Sequence, residues 1–68
     1  MNAYDSQIEK LTRILQHAEF LTHSGFLTDQ TIKVAFEEND EVFNVDFKFT
    51  NKKDYIRFNK HLRRMQQG

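Results

Sequence analysis

Residues 31–50, TIKVAFEENDEVFNVDFKFT, alternate apolar and polar side chains at a period of two on both sides of a short acidic gap. Ile32, Val34 and Phe36 fall on one side of an extended chain, with Lys33 and Ala35 on the other. Phe43, Val45, Phe47 and Phe49 repeat the pattern against Asn44, Asp46 and Lys48. Alternation of this kind marks half-buried strands, and β-branched and aromatic residues suit a pleated surface. The spacing predicts a β-hairpin with strands at about residues 31–37 and 42–50. Asn39-Asp40 is its turn, because both residue types tolerate positive φ. The register then sets Phe36 against Phe43, Val34 against Val45, Ile32 against Phe47, and Lys33 against Asp46. A slip of one residue would turn every phenylalanine toward the polar side. Glu38 and Glu41 face each other beside the turn, a conflict that the sequence alone does not explain.

One apolar ribbon face needs cover, and the flanking segments supply two amphipathic patterns. Ser6-Gln7-Ile8-Glu9 fits a capping box, and Ile8, Leu11, Ile14, Leu15, Ala18 and Leu21 follow at helical spacing. Glu9 and Arg13 make an i,i+4 pair. Gly25 reads as the left-handed residue that stops this helix, with Phe26 packing back on Leu21 and Leu27 closing the core edge. The first helix is expected at about residues 6–24, after a frayed lead-in, Met1 to Tyr4. Its Phe20 points away from the apolar stripe. Thr50 or Asn51 caps a second helix at about residues 51–66, with Asp54 three residues past Asn51. There Tyr55, Phe58, Leu62 and Met65 form the apolar face, and Lys53, Arg57, Lys60 and Arg64 the opposite one. The order is α-β-β-α. The expected fold is α+β, a two-layer sandwich with both helices on one face of the hairpin. Two strands alone are marginal and leave both edges open, so completion by homodimerisation is expected.

Sixty-eight residues make a single domain, and a chain of this size hides only about 60% of its unfolded surface. There is no cysteine or proline, which excludes a disulfide framework, a thiolate metal site and a proline-rich linker. The N-terminal residues lack an apolar run and no segment reaches the length of a membrane span, so a cytoplasmic protein without a membrane partner is expected. Net charge is zero but unevenly spread. Residues 1–50 hold four basic and nine acidic groups, a net of −5; residues 51–68 hold six basic and one acidic, a net of +5.

That asymmetry is the strongest functional signal. The basic face of the second helix reads as a solvated face, as a dock for an acidic protein surface, or as a phosphate-binding face. Of the two binding readings the acidic protein surface leads. It predicts a non-enzymatic adaptor, regulator or inhibitor that binds protein through Lys53, Arg57, Lys60 and Arg64, with Phe20 and Ile56 as apolar anchors. Nucleic-acid binding by the same face is the alternative. No cofactor is expected. The acidic tip Glu37-Glu38-Asn39-Asp40-Glu41 lacks a calcium-loop order. His17, His23 and His61 read as surface residues without zinc spacing. No nucleophile triad, glycine-rich phosphate loop or close carboxylate pair marks an enzyme.

Overall fold

Asn39 and Asp40 adopt φ values of 53° and 68°, the paired positive angles of a type I′ turn. The computed structural model describes residues 3–67. In chain order they form α1 (Ala3–Leu15), β1 (Glu19–Phe26), β2 (Thr31–Glu38), β3 (Glu41–Lys48) and α2 (Lys52–Gln67). The turn fixes the predicted β2–β3 register, including Ile32 opposite Phe47, Val34 opposite Val45, Phe36 opposite Phe43 and Lys33 opposite Asp46. Glu38 does lie across from Glu41. Its carboxylate is held 3.0 Å from His17 Nδ1, which donates to it, so a side chain from the end of α1 relieves the repulsion.

The main correction concerns residues 19–26. They do not continue the first helix; they form a third strand, and the sheet is antiparallel in the order β1-β2-β3. The fold is α+β, with a meander in place of the expected hairpin. The helix stops at Leu15. A tight turn follows, in which the Ala18 amide donates to the Ile14 carbonyl at 2.9 Å. β2 thereby gains partners on both sides, and its Ile32, Val34 and Phe36 are fully buried. Pairing both edges of the most apolar strand outweighs nine further residues of helix whose apolar stripe ran out at Leu21.

Several expectations fall with that helix. Gly25 is not a left-handed helix stop; it lies in β1 with negative φ, because the described residues with positive φ are Gln30, Asn39 and Asp40. Phe26 and Leu27 are exposed at the β1–β2 turn, so neither packs back nor plugs the core. Leu21 sits 40% exposed at a bulge between Phe20 and Thr22. At the other end α1 begins at Ala3, so Ser6 lies inside the helix and not at its cap. Tyr4 is not frayed, since its ring meets Phe58 edge-on at 6.4 Å. Met1 and Asn2 of the expected lead-in lie outside the described residues.

The core forms where the three kinds of element meet. Leu11 and Ala18 join Ile32, Val34, Phe36, Phe47 and Phe49 from the sheet side, and Tyr55, Phe58 and Leu62 from α2. Phe58 is the central plug, with ring centroids 4.9 Å from Phe47 and 5.1 Å from Phe49. No helix among the described residues is long and apolar enough to cross a membrane.

Candidate interaction surface

α2 starts where the sequence puts it. The Asp54 amide donates to Asn51 Oδ1 at 2.8 Å, and Asn51 Nδ2 donates back to Asp54 Oδ2 at 3.1 Å. This reciprocal cap satisfies one of the free amides that open every helix. With Tyr55, Phe58 and Leu62 fixed in the core, a rotation of 100° per residue turns Lys53, Lys60 and Arg64 outward, and all three are exposed. Arg57 shares their stripe but is occupied. Its guanidinium lies 3.9 Å from the centroid of Tyr4 and 3.6 Å from an Asp54 oxygen. It ties the start of α1 to α2, so of the four basic residues singled out, three form a free cationic row and one is a brace.

The two apolar anchors part ways. Ile56 is 41% exposed on α2, as an anchor requires. Phe20 is not an exposed residue of a helix. It stands in β1 opposite Phe36, half-buried against the core, with its ring edge-on to His23 at 5.9 Å. Its contribution is to the core.

Three further residues, with Ile56, complete the surface. Lys52, Ile56, Asn59 and Arg63 recur at intervals of four, three and four, a stripe of their own. Arg57 marks the flank of α2 that leans on α1, so this stripe lies on the opposite flank, toward β1. Two contacts set α2 along β1: Tyr55 packs against Gly25, and the Arg63 charge acts on His23. The 4-3-4 spacing of Lys52, Ile56, Asn59 and Arg63 was present in the sequence, but only a strand beside α2 gives it a meaning.

His23 is half-buried and is not the surface residue expected. Its Nδ1 is sealed from solvent and has no partner among the described residues. Burial first, and the nearby Arg63 charge second, hold its pKa below the ordinary 6.5. Glu19 and His23 are no longer one helical turn apart, which removes the geometry by which they would share a metal. Among the described residues no group of three or more His, Cys, Asp or Glu side chains is placed to hold an ion. Two shallow depressions mark the surface. One, on the sheet face away from the helices, is lined by Phe26, Asp29, Thr31, Lys33, Asp46 and Lys48. The other lies between the acidic β2–β3 turn and the α1–β1 junction. Neither holds a paired nucleophile and base.

Comparison with known protein families, curated proteins and solved structures finds no match to this chain.

Proposed function

We propose that this chain is a non-enzymatic protein-binding module that recognises an acidic surface through α2. The helices form one layer and the sheet the other, with α2 turning its charged side away from both. One observation carries the reading. The six cations of α2 are all exposed, with a 41% exposed Ile56 set among them. A charged rim around an apolar side chain suits steering followed by burial. Lys53, Lys60 and Arg64 supply the long-range attraction, and Ile56 the desolvated contact.

Phosphate is the second reading. It is supported by the distance between the Lys52-Lys53 end of α2 and the acidic Glu37–Glu41 turn, which lie at opposite ends of β1.

Titration with an acidic protein or polyglutamate, and separately with generic duplex DNA and RNA, distinguishes these readings. The expected result is binding to the acidic polypeptide that is lost when Lys53, Lys60 and Arg64 are changed to Glu. Binding to nucleic acid alone, with a steep inverse dependence on salt, would move the function to the phosphate reading. No binding to any polyanion at low salt ends both.

A further inference from the structure

The two margins of the sheet differ in what their backbone faces. A two-residue turn makes Glu38–Glu41 the first hydrogen-bonded pair of the hairpin, and pairs then alternate along the ladder. Asp46 and Lys48 therefore turn their carbonyls away from β2, and both are covered by α1. Lys10 Nζ donates to the Asp46 carbonyl at 3.1 Å and Gln7 Nε2 to that of Lys48 at 2.9 Å. Continued through β2 to β1, the alternation directs the amides of Thr22, Ser24 and Phe26 inward. Those of His23 and Gly25 point outward. No described element lies beyond them, since β1 is the terminal strand.

An unpaired strand edge is a template for another strand, and natural edges are usually blocked by charge or cover. β1, EFLTHSGF, carries one charge, Glu19, at its first position, and its bulge at Leu21 lies before the open stretch. His23 and Gly25 lie on the face of β1 that α2 covers, so residues paired with them face the Lys52–Ile56–Asn59–Arg63 stripe. That stripe is basic at both ends, with the exposed Ile56 and the amide of Asn59 between them.

A second copy fits this edge poorly. Antiparallel pairing of two β1 strands keeps both helical layers on one side of the joined sheet. The two stripes would then meet, with the Lys52 and Arg63 of one copy facing those of the other. Acidic side chains at alternate positions fit instead.

We propose that the free edge of β1 accepts an extended acidic segment of a partner protein as a fourth strand. The segment would pair with the outward amides of His23 and Gly25 and lay its carboxylates against Lys52 and Arg63. This rests on the acidic-partner reading above and specifies the form the partner takes.

The probe is a capped peptide of alternating Glu and Val, as long as β1. Its control is the same peptide N-methylated at alternate residues, which keeps the charge and removes the pairing amides. Binding is followed by calorimetry, and the edge by amide exchange of His23 and Gly25. The expected result is binding that slows exchange at both amides and falls about tenfold or more on methylation. Lys52→Glu with Arg63→Glu abolishes it, and Lys60→Glu with Arg64→Glu costs less. Equal affinity of the two peptides, or a larger loss from the Lys60/Arg64 pair, overturns strand addition while leaving the acidic-partner reading in place. Binding of neither peptide overturns strand addition, and the acidic-partner reading then stands or falls with the polyglutamate titration above. A concentration-dependent dimer that protects the same two amides assigns the edge to a second copy and overturns the proposal.

Discussion

β3 and β1 border the same sheet, yet α1 caps two outward carbonyls of one margin and no described element lies beside the other. β3 is reached directly from β2 through a tight turn and lies beneath α1, whose Gln7 and Lys10 cap its outward carbonyls. Lys10 Nζ also lies 5.0 Å from the centroid of the Phe47 ring, so one lysine covers both backbone and aromatic surface at that margin. β1 has a bulge, a glycine and a half-buried histidine, and no described element lies beside its edge. The contrast shows that a strand can be required by the fold without being finished by it. β1 completes the burial of β2, and its other edge is the one that strand addition would use.

The largest expected effect tests whether the two margins carry unequal shares of the core. Phe47 is fully buried and stacks with Phe58, whereas Phe20 is only half-buried. Phe47→Ala is expected to cost about 3–5 kcal/mol, which for a domain of this size is most of its stability. Phe20→Ala should cost clearly less in the same denaturant titration. Equal losses would mean that β1 belongs to the core as fully as β3 does, and the contrast would fail.

A smaller effect is expected at Gly25, where the close approach of α2 to β1 depends on a missing side chain. A methyl group there would run into the Tyr55 hydroxyl, and Tyr55 is only 7% exposed, so the ring has little room to move. Gly25→Ala is expected to destabilise by about 1–3 kcal/mol through overpacking. Adding Tyr55→Phe removes the nearest atom and should recover part of that loss in a double-mutant cycle. A strictly additive pair would show that the contact does not set the distance between α2 and β1.

These residues also explain what was legible in the sequence. The hairpin was readable because Ile32, Val34, Phe36, Phe43, Val45 and Phe47 alternate on one face, and Asn39-Asp40 fixes the parity. α2 was readable because its cap and its three-four spacing are local. β1 hides the same signals. The bulge at Leu21 shifts the parity, so the positions facing the core are Phe20, His23 and Gly25, which do not alternate. One of those positions has no side chain, and another is polar. Leu21 meanwhile falls on the helical repeat begun by Ile8, Leu11 and Ile14, so the stronger local pattern pointed the wrong way. At the surface, the exposure of Lys53, Lys60 and Arg64 followed from the helix period. The capture of Arg57 by Tyr4 did not, because it joins residues 53 apart in the chain. The Glu38–Glu41 conflict had the same kind of answer in His17, supplied from the turn after α1, where the sequence expected the helix to continue.

The smallest expected effect is a pH dependence confined to the β1 side. His23 has a folded-state pKa below 6.5, with burial as the first cause and Arg63 as the second. The unfolded chain therefore takes up this proton at a higher pH than the folded chain does. The His23 contribution is intact above pH about 6.5 and declines as pH falls through that value toward the folded pKa. His17 and His61 are present in both wild type and His23→Phe, so the difference between their denaturation midpoints at pH 7.5 and pH 5.5 isolates His23. Wild type should lose more stability on acidification than the variant. Arg63→Ala should reduce the loss without removing it, because desolvation is the larger cause. Identical losses in all three proteins would mean that the ring is as free to charge in the fold as in water, and that β1 leaves His23 open to solvent.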